Sequence, residues 1–254
     1  MQGDHRAKLD AWLVAAERRY TADLRVQEIT RALRALSSAY VERRERGGRQ
    51  HVHGALDTAG KRAAFALYYA PLHFIAVTEV VHALHATTPV PVSIVDLGCG
   101  TGAGGAAWAL ATGSTAGITG IDRHPWAVSE ARWTLAQLGL RGHAKQGDIT
   151  RLHPTRSNEY TIVAYTLNEL ADDTRRRVED QLCERAQGGG RVLILEPLAR
   201  GVVPWWSGTA ERMTALGGRA DEWKLAVDVP PIVQLLGRAA GLNYRELRFR
   251  TLFL

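Results

Sequence analysis

Across residues 4–46 apolar side chains return with the period of an α-helix: Leu9, Trp12, Leu13, Ala16, Tyr20 and Leu24, then Ile29, Leu33, Leu36 and Tyr40. Most intervening positions are charged and no proline interrupts. The run therefore predicts two or three helices with a break between Tyr20 and Gln27, stopped by Gly47-Gly48. After a loop with His51 and His53, Gly60-Lys61-Arg62 opens a second helical segment through His85, bent at Pro71. Within it Ala63–Leu84 is the most apolar long stretch of the chain. Pro71, His73, Glu79 and His82 make it a poor membrane span and a reasonable buried helix.

From Pro89 and Pro91 onward the pattern alternates. Val92–Leu97, Gly117–Ile121, His143–Gln146, Tyr160–Tyr165 and Arg191–Leu195 are the strand candidates. Between them Gly104–Thr112, Pro125–Leu138 and Asp172–Ala186 read as helices, the last stopped by Gly188-Gly189-Gly190. Strands alternating with helices predict an α/β fold with a parallel sheet covered on both faces. Pro231–Ala240 adds a helix and Tyr244–Phe253 a last strand, while Trp223–Val229 is a candidate for one more, so the sheet has six or seven strands. Residues 198–225, with Pro204-Trp205-Trp206, are too long for a plain connection and are expected to cap the ligand cleft. The division expected is a helical domain at 1–90 and a ligand-binding domain at 91–254.

Composition narrows the class. At 254 residues, 46% apolar and 23% charged, the chain is an ordinary globular protein. A net charge of +6 suits an anionic partner without specifying one. Only Cys99 and Cys183 occur, too few for a disulfide framework or a four-thiolate metal site. His51-x-His53 and His82-x-x-His85 lack a carboxylate or thiol at recognisable spacing, so no metal site is expected. With no signal-peptide core at the N-terminus, a cytoplasmic protein without a membrane anchor is expected.

The chemistry centres on Ser93-Ile94-Val95-Asp96-Leu97-Gly98-Cys99-Gly100-Thr101-Gly102, a buried strand turning sharply into a helix over a ligand. Glycines there allow close backbone approach and dihedrals that a Cβ would penalise. Ligands of a parallel sheet bind at the carboxyl ends of its strands. The first three strands each end at or near an acid: Asp96, Asp122 and Asp148. Such a row suits a ligand with an ammonium group, a ribose and an amino-bearing base, as in S-adenosylmethionine. A nicotinamide dinucleotide is the alternative, because Gly98-x-Gly100-x-x-Ala103 with Asp122 downstream fits its fingerprint. Against it, Asp96 would set a carboxylate near the pyrophosphate.

Asp96-Leu97-Gly98-Cys99-Gly100-Thr101-Gly102 resembles the first motif of the class I S-adenosylmethionine-dependent methyltransferases. The resemblance covers about Val92 to Leu195 and implies a Rossmann-like sheet with S-adenosylmethionine as cofactor. It puts Asp96 and the Gly98-Cys99-Gly100-Thr101-Gly102 loop at the methionine end and Asp122 on the ribose hydroxyls. Arg123 and Trp126 would lie by the adenosine, Asp148 and Ile149 at the adenine, and Tyr165 on the cofactor side of the fourth strand. Asn168 and Glu169 would stand closest to the transferring methyl. Glu169 is then a candidate base or substrate contact, Asn168 an orienting group, and Glu196 a further catalytic candidate after the fifth strand; Glu169 also suits a plain helix N-terminal acid. Trp205 and Trp206 suit either base stacking or packing.

A narrower resemblance links Leu36-Ser37-Ser38-Ala39-Tyr40, Lys61-Arg62, Tyr68-Tyr69-Ala70-Pro71-Leu72-His73-Phe74, Tyr165-Thr166-Leu167-Asn168-Glu169-Leu170 and Glu196-Pro197 to methyltransferase-like proteins of the small ribosomal subunit. In mitochondria these are assembly factors. It implies RNA, ribosomal RNA first, or the small subunit as partner, with Arg43, Arg44, Arg46 and Lys61 forming a patch beside the pocket. Two cysteines cannot supply the iron–sulfur centre of the mitochondrial members. A small-molecule methyltransferase and a cofactor-binding assembly protein without turnover are the alternatives.

Overall fold

The computed structural model describes residues 3–45, 56–113, 115–151, 158–199, 201, 203–242 and 246–254. The strands are β1 (Ser93–Leu97), β2 (Gly117–Asp122), β3 (Gly142–Gln146), β4 (Glu159–Ala164), β5 (Arg191–Pro197), β6 (Arg219–Leu225) and β7 (Leu247–Phe253). They form one seven-stranded sheet in the order β3-β2-β1-β4-β5-β7-β6. β1 to β5 pair in parallel, and β7 runs antiparallel between β5 and β6. The helices are α1 (Gly3–Thr21), α2 (Val26–Glu45), α3 (Ala59–Ala64), α4 (Ala70–Ala83), α5 (Ala103–Ala111), α6 (Pro125–Gln137), α7 (Asp172–Gln187), α8 (Trp206–Ala215) and α9 (Pro231–Ala240). The expected Rossmann-like α/β sheet is present with seven strands.

The strand at the edge, β6, carries a weak apolar pattern. β6 pairs from Arg219, four residues before the apolar signal at Trp223, with Glu222 opposite Arg250 and Trp223 opposite Phe249. Its ladder needs only main-chain groups, and an edge strand keeps polar residues on its solvent side.

The break between α1 and α2 falls where the periodicity placed it. Glu28 reaches back to accept the Arg25 N–H at 2.8 Å, half of a capping box. The second helical segment runs through Pro71 by way of a π-turn, Phe65–Tyr69, in which the Ala70 N–H donates to the Phe65 carbonyl. Proline has no N–H to give and its ring crowds the carbonyl four residues back, so a widened turn absorbs it. This helix, Ala59–Ala83, is long and apolar enough to cross a membrane, but 78% of its apolar window is buried inside the protein. It is the central core helix.

One apolar core joins α1 and α2 (Leu9, Trp12, Leu33, Leu36) to α4, α5 and the sheet (Phe74, Trp108, Leu193, Phe249). The N-terminal helices thus share their core with one face of the sheet. The Trp108 indole donates to the Ala86 carbonyl at 2.9 Å, and Arg19 of α1 pairs with the buried Glu130 of α6 at 2.8 Å. On the other face α7 and α8 pack Val178, Leu182, Trp206 and Met213 against Leu97, Val163 and Ile194. The cap expected from residues 198–225 is corrected here. Those residues supply α8 and β6, and Trp206 is buried beneath the Arg250 guanidinium while Arg175 covers Trp205. Gly47-Gly48, His51 and His53 lie outside the described residues.

Candidate active site

Every strand from β1 to β4 points its carboxyl end at one cavity of about 970 Å³. Its floor is the loop after β1. The Gly98 and Cys99 N–H groups both donate to the Ile121 carbonyl, at 2.8 and 3.1 Å, tying the loop to the end of β2. Gly98 sits at φ +67°, and a Cβ there would lie 2.3 Å from the Thr166 methyl. Only glycine fits both the dihedral and the space.

Asp96 is buried at the end of β1 and accepts the Gly105 N–H, from the first turn of α5, at 2.8 Å. Among the described residues no group bonds its other oxygen. Burial pushes its carboxyl up to about 7, aided by the nearby Asp122 and opposed by the Gly105 hydrogen bond. A buried carboxyl with a spare oxygen on a cavity favours a cationic partner.

Asp122 lines the same cavity and holds the loop in shape, accepting the Gly100 N–H at 2.9 Å and the His124 N–H at 2.8 Å. Asp148 stands at the exposed rim, where the Thr150 N–H and hydroxyl at 2.9 and 2.7 Å hold its carboxyl below the usual range. Arg123 and Ile149 lie along the wall between them. Cys99 also lines it, its thiol pushed well up by burial and by Asp96 and Asp122, so it is no nucleophile. Gly102 is corrected: it is the left-handed N-cap of α5, packed on Ala131 and outside the cavity lining. The row of carboxylates and the glycine cradle fit S-adenosylmethionine in both charge and shape.

The loop after β4 brings Tyr165, Asn168 and Glu169 to the cavity together. Tyr165 adopts φ +57°, unusual for a non-glycine residue, held there by its N–H bond to the Leu195 carbonyl at 2.8 Å. Glu196 departs from the expectation of direct catalysis. It shares the inner sheet face with Val192 and Ile194, is fully buried, and does not line the cavity. Burial pushes its carboxyl up to about 8 against the pull of hydrogen bonds from Asn168 and Leu167. It accepts the Asn168 side-chain amide at 2.5 Å and the Asn168 N–H at 3.3 Å. Glu196 therefore positions Asn168.

Phe65, Tyr69, Leu72 and His73, from the π-turn and α4, and Leu247 and Phe249 of β7 also wall the cavity, and no sequence motif marks them as site residues. The spacing of 65, 69 and 73 puts three rings on one helical face, but an aromatic stripe reads equally as core packing. Trp205 and Trp206 are not in the lining, and among the described residues no group of His, Cys, Asp and Glu could hold a metal. Of the basic residues expected beside the pocket, Lys61 is held by Asp57 at 3.0 Å; the side chains of Arg43, Arg44 and Arg46 lie outside the described residues.

Residues 94–190 match the family model described as a methyltransferase domain. No curated protein matches the chain in sequence. Among solved structures, the mitomycin 7-O-methyltransferase MmcR is similar at 18% identity and a TM-score of 0.52, over 99% of this chain and 75% of that one. NcsB1, an O-methyltransferase from neocarzinostatin biosynthesis, is similar at 15% identity and 0.53, over 87% and 69%. The magnesium protoporphyrin IX methyltransferase ChlM of Synechocystis PCC 6803 gives 16% identity and 0.48, over 71% and 78%. The matched stretch, from β1 to just past α7, is a methyltransferase domain that carries the carboxylates and the glycine cradle, and the chain is an S-adenosylmethionine-dependent methyltransferase.

Proposed function

We propose that the enzyme methylates a small, largely apolar molecule. The observation that carries this reading is the wall built by the N-terminal helices. Phe65, Tyr69 and Leu72 meet Tyr165 of the β4 loop and Leu247 and Phe249 of β7 around the cavity. The cavity of about 970 Å³ has to hold the cofactor and the acceptor together, within the range of about 300–1,000 Å³ of small-ligand sites. Such a wall takes up an apolar acceptor by desolvation and offers few charges to a phosphate backbone.

When bound, the cofactor supplies a methyl group already activated on a sulfonium. The residues of the chain then have to align the acceptor and exclude water. Asp96 would hold the ammonium, Asp122 the ribose hydroxyls, and Asp148 with Ile149 and Arg123 the adenosine. The strained Tyr165 backbone and the Glu196-held Asn168 would fix the β4 loop beside the acceptor. Glu169, in the cavity lining, would receive a proton from an oxygen or nitrogen nucleophile.

The test is incubation of the purified chain with methyl-labelled S-adenosylmethionine and fractionated extract from a strain lacking it. Label in the nuclease-resistant, small-molecule fraction is expected. Label in nuclease-sensitive material would overturn the reading in favour of RNA. Cofactor binding without label in any fraction would point to a protein that does not turn over.

A further inference from the structure

Among the described residues His73 is the one histidine in the lining of the cavity, and its contacts there are with the rings of Tyr165 and Phe65. His124, by contrast, caps α6 by accepting the Trp126 N–H on Nδ1 at 3.1 Å. Among the described residues no group hydrogen-bonds either nitrogen of His73, and burial is the sole influence on its titration. That burial brings the imidazole down to about 4, so it is neutral at physiological pH, with one nitrogen able to accept and one able to donate. The ring cannot swing away. It stacks on Tyr165 with centroids 4.2 Å apart and planes at 22°, and Phe65 meets it edge-on at 6.0 Å.

The imidazole lines the cavity without a hydrogen-bond partner among the described residues, so a ligand seated there can supply one. The geometry points to His73 as the acceptor-recognition residue, holding the hydroxyl of a planar aromatic substrate that lies among Phe65, Tyr69, Tyr165 and Phe249. The hydroxyl donates to the imidazole, and the rings around it give the flat apolar body offset or edge contacts. This rests on the proposed small-molecule reading and adds to it the acceptor's class, a phenol-type alcohol. A phosphorylated or otherwise anionic acceptor would leave the neutral imidazole a poor partner in a wall of rings.

The probe is 2-naphthol, with naphthalene as the control that lacks the hydroxyl, titrated calorimetrically into the full chain saturated with S-adenosylhomocysteine. 2-Naphthol should bind, and more tightly than naphthalene. His73→Phe should weaken 2-naphthol by roughly tenfold, the worth of one neutral hydrogen bond, and leave naphthalene unchanged. His73→Gln, which keeps an acceptor, should recover part of the loss. In ¹⁵N spectra the His73 imidazole should shift on adding 2-naphthol and stay put with naphthalene. Equal affinity for both probes, no binding of 2-naphthol, or an undiminished affinity in His73→Phe would overturn the assignment. S-adenosylhomocysteine affinity, measured on the same samples, reports the methyltransferase reading separately: its loss in the wild type would strike that reading, and its retention leaves a failure of 2-naphthol to the acceptor site alone.

Discussion

Cofactor affinity should depend steeply on pH through Asp96. In the free protein burial pushes this carboxyl up to about 7. Beside the ammonium of the cofactor the charged form is favoured and the carboxyl stays ionised across the physiological range. The sign follows from linkage. Below 7 the free protein carries a proton that binding must expel, so affinity falls as pH falls and levels off above 7. One such proton weakens binding about 100-fold between pH 8 and pH 5, or about 2.7 kcal/mol. Calorimetric titration with S-adenosylhomocysteine at pH 5, 6, 7 and 8 measures this directly. Repeating it in buffers of different ionisation heat counts the protons released: close to one at pH 5, about half at pH 7, and none at pH 8. Asp96→Asn should bind weakly and without pH dependence. Asp148 sits at the exposed rim with its carboxyl held low, so it does not titrate in this window. A flat wild-type profile, or the same slope surviving in Asp96→Asn, would refute the assignment of Asp96 to the ammonium.

Gly98→Ala should lower the melting temperature by roughly 5–15 °C, from about 1–2 kcal/mol for the left-handed backbone and about 1–3 for the collision with Thr166. Adding Thr166→Ala should recover the second part and not the first, as scanning calorimetry would show. Glu196 stays protonated in the fold up to about 8, whereas in the unfolded chain it ionises near 4.5. It therefore makes stability decline with rising pH across that window, by at most about 1.4 kcal/mol per unit. Urea unfolding of Glu196→Gln between pH 5 and 8 should show a shallower decline than the wild type, and an identical slope would exclude the effect. Arg19→Ala leaves the Glu130 carboxyl buried without its cationic partner and should cost about 1–3 kcal/mol. Glu130→Gln in that background should restore most of the loss in the same assay.

The parts of this protein that follow from near neighbours in the chain were legible in its sequence. Helical period, the break before α2, the glycine turn after β1 and the acids at the ends of β1 to β3 each depend on a few consecutive residues. Dihedral preference, capping and side-chain period act over that range. The carboxylate row therefore came out in the right order, and all three acids line one cavity. β6 blurred because an edge strand takes its stability from main-chain pairing more than from an apolar pattern.

Other features waited for the tertiary structure because they join segments far apart in sequence. Phe65, Tyr69 and His73 look like any buried helical face until α4 is laid against the β4 loop and Tyr165. Trp205 and Trp206 are an apolar pair free to cover either face of the sheet, and the path from β5 through α8 to β6 sends them to the face away from the N-terminal helices. Glu196 reads as a catalytic acid from its place after β5. The sheet's pleat turns it inward onto Asn168 instead. In each case local rules allow both outcomes with little difference in energy, and the choice belongs to the summed packing of the whole core, which no short stretch of chain encodes.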